Sequence, residues 1–81
     1  MSFDTGLLQA FIAVHQANGF TRAAEQLHLT QSAVSHQIRR LEELVGRPLF
    51  RRTTRRLSLT ADGGELLRHA QRNPQAQGAL A

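Results

Sequence analysis

The chain has 81 residues with ten basic and six acidic side chains, a formal net charge of +4, and no cysteine. A polypeptide of this size buries roughly 60–65% of the surface its unfolded form exposes, which leaves room for one domain and one small core and disfavours a deep enclosed active site. The missing cysteines exclude disulfides and thiolate metal sites and fit a reducing compartment, and the opening MSFDTGLLQAF has neither a basic n-region nor a long apolar run, so neither secretion nor membrane spanning is expected.

The first helix is expected to start at Asp4 as N-cap and to run to about residue 17. Leu8, Phe11, Ile12 and His15 share one side at helical spacing, with Leu7 and Val14 beside them, so His15 is expected to be partly buried. Asn18-Gly19 ends this helix, because Asn and Gly enter the left-handed conformation at least cost. Phe20 then returns to the core. Thr21 is expected to cap a second helix over residues 22–27, in which the small, adjacent Ala23 and Ala24 let another helix come close. His28-Leu29-Thr30 reads as a turn, with Leu29 buried and Thr30 capping a third helix over 31–45 that stops at Gly46.

On a wheel of the third helix, Val34, Ile38, Leu41 and Val45 fall within an arc of roughly 60°, which marks the core face. Ser32, His36, Arg39, Arg40 and Glu43 lie opposite, with Gln31 and Ser35 on the N-terminal flank. A solvated helix face usually carries long Glu and Lys side chains. This one begins with Gln, Ser, Ser and His, short or forked groups suited to base edges and phosphates.

Pro48 bars continuation of the helix, and Leu49-Phe50 re-enters the core. Arg51-Arg52 and Leu57-Ser58-Leu59 read as two short antiparallel strands, joined by a turn over 53–56 that lacks the glycine of a tight hairpin. The charge is concentrated here. Residues 47–56 hold five arginines and no acid, whereas residues 1–46 have net charge −1 and residues 57–81 net zero. A ten-residue cationic block points to a local contact surface for a polyanion rather than to a generally basic protein. Arg47 and Arg51 are expected to face solvent or pair with Glu42 or Glu43, and Arg40 to pair with Glu43 or lie at the backbone rim. Thr60 caps a fourth helix, with Asp62 and Glu65 opposing the positive end of its dipole and Leu66, Leu67 and Ala70 as its apolar side. Gly63-Gly64 weakens its start by up to ~1 kcal/mol per glycine, and Asn73-Pro74 ends it. Residues 74–81 are small and polar without periodicity and are expected to be disordered.

A helix able to enter a groove, next to an arginine loop, is what a reader of duplex DNA needs. Gln31, Ser32, Ser35, His36 and Arg39 are the candidates for base contact. Thr30, Arg51, Arg52, Thr54, Arg55 and Arg56 are candidates for the backbone or the minor groove, and Thr21 and Arg22 for a phosphate at the start of the second helix. The four histidines lack ligand spacing, so no metal site is expected. Ser, His and Asp occur without a nucleophile elbow, and Gly63-Gly64 is no phosphate loop. No catalytic residue, cofactor or enzymatic activity is therefore expected. A protein-interaction module is the alternative, although the free face of the third helix is polar and cationic. Nonspecific nucleic-acid binding is another, although Tyr and Trp are absent and the Phe residues read as core or terminal.

The stretch FTRAAEQLHLTQSAVSHQIRRLEELVG, followed by LFRR and LSLT, resembles the N-terminal winged helix-turn-helix domain of LysR-type transcriptional regulators. The likeness runs without a gap from Leu8 to about Gly63. It implies a mainly α fold: a winged helix-turn-helix over residues 1–60, made of a three-helix core and a two-stranded wing, and then a fourth, linker helix over 61–73. It implies that Gln31, Ser32, Ser35 and His36 enter the major groove, that Arg52 and the wing hold the backbone, and that Arg55 or Arg56 reaches the minor groove. Double-stranded DNA is then the partner, in the cytoplasm of a bacterium. Such regulators also pair through a long fourth helix and carry an inducer-binding domain. Here no inducer-binding domain follows and Pro74 shortens that helix, so a homodimer through it stays open.

Overall fold

The computed structural model describes residues 5–53 and 56–72. Three helices, α1 (Thr5–Ala17), α2 (Phe20–Leu27) and α3 (Gln31–Val45), precede a hairpin of β1 (Phe50–Arg52) and β2 (Leu57–Leu59), and α4 (Ala61–Gln71) closes the order. The fold is a winged helix-turn-helix. The expected capping residue Asp4, the turn residues Thr54 and Arg55, the terminator Asn73-Pro74 and the tail lie outside the described residues.

Helix α1 is the spine of the core. Leu7, Leu8, Ala10, Phe11, Ile12, Ala13 and Val14 are all buried, so the helix is enclosed over most of its circumference, and α2, α3 and α4 pack against it. Burial stops at Val14. His15, expected to be partly buried, is exposed with Gln16 in the last turn, which spares the imidazole the loss of its water hydrogen bonds in an apolar core.

Asn18 takes the left-handed conformation at φ 57°, as its side chain permits. Helix α2 then begins two residues earlier than expected. Phe20 is its first residue, Gly19 occupies the cap position, and no side chain accepts a hydrogen bond there. Thr21 is thus not the N-cap, because burial of Phe20 draws the first turn forward by two residues. Ala23 and Ala24 are buried as their size suggested. His28, at φ 58°, ends α2 with its N–H directed to the carbonyls of Ala24 and Glu25. Leu29, expected to be buried, is 41% exposed. Its backbone N–H closes the end of α2 on Ala24 O at 2.9 Å.

Thr30 caps α3 as expected, its hydroxyl accepting from Ala33 N at 3.1 Å, and Gly46 ends the helix at φ 80°. Val34, Ile38 and Leu41 are buried with Val45 packed beside them, each fully buried side chain contributing about 1.5–3 kcal/mol. The Glu42 carboxylate then bridges helix to wing. It accepts from Leu49 N at 2.8 Å and from Phe50 N at 3.5 Å. In the wing, Phe50 pairs with Leu59, Arg51 with Ser58 and Arg52 with Leu57 in antiparallel register.

Thr60 joins three elements. Its N–H donates to Leu49 O at 3.1 Å, its hydroxyl donates to Pro48 O at 2.7 Å, and the same oxygen accepts from Gly63 N at 3.0 Å. The two glycines that follow differ in kind. A Cβ on Gly63 would collide with the backbone carbonyl of Leu49, whereas one on Gly64 would meet nothing within 4 Å. Gly63 is therefore required by close packing of α4 on the β1 approach, and only Gly64 is a simple weakness of the helix. Leu66 and Ala70 are buried and Leu67 packs beside them, as the apolar side required.

Candidate nucleic-acid interface

One face of the molecule carries the exposed side of α3. Gln31, Ser32, His36, Arg39, Arg40 and Glu43 are exposed and Ser35 is half-buried, the reverse of the buried stripe on the same helix. Gln31 Nε2 donates to Ser35 Oγ at 3.2 Å, one turn apart, so two of the predicted base-contact residues are linked on the helix surface. That bond engages one amide N–H of Gln31 and leaves its second N–H and Oε1 as a donor–acceptor pair. Thr30 is exposed while its hydroxyl serves the cap. His36 and Arg39 lie one and two turns further along.

The described arginines of the wing, Arg51, Arg52 and Arg56, form no ion pair with a carboxylate among the described residues. Among the described residues the single ion pair joins Arg68 and Glu65 at 2.8 Å within α4. Arg40, Arg47, Arg51, Arg52 and Arg56 are exposed, and neither the pairing of Arg40 with Glu43 nor that of Arg47 or Arg51 with Glu42 or Glu43 forms. Glu42 is engaged with the amides of Leu49 and Phe50 instead, and Arg47 and Arg51 face solvent. The turn without glycine is closed by Thr53. Its N–H and hydroxyl both donate to Arg56 O, at 2.9 and 3.1 Å, and its Oγ1 accepts from Arg56 N at 3.1 Å. Threonine thereby supplies locally the hydrogen bonds of a compact turn.

Arg52 is placed differently from its neighbours. Its guanidinium lies 4.1 Å from the centroid of the Phe20 ring, at the first residue of α2, next to the exposed Thr21 and Arg22. The stack ties wing to second helix. Phe20 also meets Phe50 edge-on, with centroids 6.1 Å apart, and Phe50 is tilted against Phe11 at 5.3 Å. Two contributors escaped the sequence reading: Glu42, taken there as an ion-pair partner, and Phe20, taken there as core alone. No spacing rule foretells either, because both act between separate elements.

Comparison with known proteins agrees with this geometry. Residues 5–64 match the model of the bacterial regulatory helix-turn-helix proteins of the lysR family. The chain belongs to that family. It is 52% identical over 65 residues to the HTH-type transcriptional regulator CfxR of Cupriavidus necator, covering 80% of this chain and 20% of that protein. It is 49% identical over 79 residues to the regulator CrgA of Neisseria meningitidis, covering 98% of this chain and 26% of that protein. The chain thus spans about a fifth to a quarter of the length of these relatives. Among solved structures, it superposes on the DNA-binding domain of CbnR in complex with DNA with a TM-score of 0.84 at 34% identity, over 95% of this chain and 88% of that one. It also superposes on the BenM DNA-binding domain bound to catB site 1 DNA, with a TM-score of 0.81 at 33% identity, over 86% of this chain and 79% of that one.

The described residues contain no cluster of His, Cys, Asp and Glu that could hold a metal ion, and no helix long and apolar enough to cross a membrane. A shallow depression at the end of α3, lined by Arg39, Glu42, Glu43, Gly46, Arg47 and Pro48, is open to solvent.

Proposed function

We propose that this LysR-type domain binds double-stranded DNA sequence-specifically as the DNA-binding part of a bacterial transcription regulator. Helix α3 lies in the major groove, and Gln31, Ser32, Ser35, His36 and Arg39 face base edges. Thr21, Arg22, Thr30, Arg51, Arg52, Thr54, Arg55 and Arg56 hold the sugar–phosphate backbone or enter the minor groove. The observation that carries this reading is the combination of two exposed features: a helix face of hydrogen-bonding side chains, and, in the wing that follows it in the chain, arginines that form no ion pair among the described residues. Unpaired guanidinium groups in one short segment repel one another, and a polyanion removes that repulsion. The DNA complexes of CbnR and BenM domains at comparable fold and identity support the same reading.

The chemistry follows from the groups on this face. The free N–H and the Oε1 of Gln31 match the bidentate pattern of an adenine edge, the serines can bond bases or phosphates, and His36 can donate to either. Arginine forks match phosphate oxygens. Residues 1–60 act as the DNA-binding unit, and residues 61–73 as a linker that pairs two copies of the regulator. Such a protein works in the cytoplasm, on the nucleoid, and catalyses no reaction. Selection of bound sequences from a random duplex pool tests the proposal. A recovered motif is expected, in palindromic arrangement if two copies bind together. Recovery of no motif would refute sequence-specific reading in favour of nonspecific binding.

A further inference from the structure

We propose that Phe20 is a positioning residue for Arg52: its ring holds the guanidinium at the junction of α2 and the wing, so that Arg52 meets a backbone phosphate in a fixed orientation. This rests on the DNA-binding reading above and deepens it.

Alternate residues of a strand share a face. In β1, Phe50 and Arg52 therefore point one way and Arg51 the other. Phe50 is buried at 9% exposure, so its face is the core side. Arg52 follows that face outward until its head emerges over Phe20 at 4.1 Å. The ring is itself held in place, since Phe20 is buried and meets Phe50 edge-on, and Phe50 packs on Phe11. The arginine is thus seated on a chain of three aromatic rings that begins in α1.

Stacking engages the flat face of a guanidinium and leaves its in-plane N–H donors free. Those edge donors are the ones that pair with phosphate oxygens. Arg52 stays exposed and has no carboxylate partner among the described residues. Arg51 has the same charge and lies one residue away, yet among the described residues no ring contact fixes it. Holding the side chain in advance reduces the ordering that binding would otherwise require, an effect on affinity of about two- to tenfold.

A double-mutant cycle on the 81-residue chain tests this, with Phe20→Leu, Arg52→Ala and their combination. Binding is read by fluorescence anisotropy on a labelled mixed-sequence duplex across a salt series, well below the melting temperature of each variant. Arg52→Ala is expected to weaken binding and to lower the log–log salt slope by about 0.9. Phe20→Leu is expected to weaken binding about two- to tenfold when Arg52 is present and to have no effect in the Arg52→Ala background. Equal losses in both backgrounds overturn the proposal, because a purely structural Phe20 acts regardless of Arg52. An unchanged affinity and slope for Arg52→Ala overturn something earlier, the phosphate contact itself. A second readout does not depend on the folding of Phe20→Leu. In the unsubstituted protein the Arg52 Hδ resonances should be shifted upfield by the Phe20 ring current, and Phe20→Tyr should retain both that shift and DNA affinity. Unshifted Hδ resonances overturn the proposal.

Discussion

Gly63 and Gly64 are adjacent in the first turns of α4, and the same substitution is expected to act on them with opposite signs. Replacing a helical glycine by alanine removes unfolded-state freedom and gains up to ~1 kcal/mol. At Gly64 that gain stands alone, because a new Cβ meets nothing within 4 Å. At Gly63 the new Cβ runs into the Leu49 carbonyl, with Leu59 Cδ2 at 3.0 Å as a second neighbour. The carbonyl cannot swing aside as a side chain could. It accepts from Thr60 N at 3.1 Å, and Thr60 is also bonded to Pro48. Overpacking of this kind costs about 1–3 kcal/mol, occasionally more. After a full helix gain is subtracted, Gly63→Ala should destabilise by up to about 2 kcal/mol, whereas Gly64→Ala should stabilise by up to about 1 kcal/mol. Each kcal/mol moves the melting temperature of a domain this size by about 4–8 °C, so the two variants, which differ by the overpacking cost of about 1–3 kcal/mol, should separate by at least about 4–8 °C. Urea and thermal unfolding followed by far-UV circular dichroism measure both. Two stabilised variants would refute the close approach of α4 to Leu49, since only that contact distinguishes the glycines.

Glu42→Ala should cost about 1–3 kcal/mol in urea unfolding, because it leaves the amide of the fully buried Leu49 without its acceptor; Glu42→Gln keeps an acceptor oxygen and should lose less. A Glu42→Ala protein as stable as the parent would contradict the tie between α3 and the wing. For DNA binding, the paired substitution Arg51→Ala and Arg56→Ala should lower the salt slope by about 1.8 if each arginine contacts one phosphate, and leave base preference intact. A slope equal to the parent's would remove both from the interface. Gln31→Ala should cost roughly 1–3 kcal/mol at a single base position and relax selectivity there. A uniform loss over all sequences, measured by competition with single-base variants of the selected site, would reassign Gln31 to the backbone.

Local signals accounted for much of this fold. The stripe Val34, Ile38, Leu41, Val45, with Thr30 before it and Gly46 after it, carried the boundaries of α3, and the structure reproduces both caps. Thr60 likewise announced α4, and the opposite face of α3 was legible as polar because its residues alternate with the buried ones at helical spacing. Leu29 and His15 went the other way. Each matched a buried pattern at its own position and is exposed, because whether a side chain at the margin of an element is covered depends on where neighbouring elements end. Thr21 failed as a cap for a related reason, the anchoring of Phe20 in the core.

Helix periodicity, capping chemistry and the clustering of charge are properties of contiguous residues, so element order, the solvent-facing side of α3 and a cationic wing could all be written down from the chain alone. Contacts between separate elements could not. The role of Glu42 as acceptor for two wing amides, the seat of Arg52 on Phe20, and the unequal standing of Gly63 and Gly64 arise where elements meet. Such contacts depend on distances in space that no local pattern encodes.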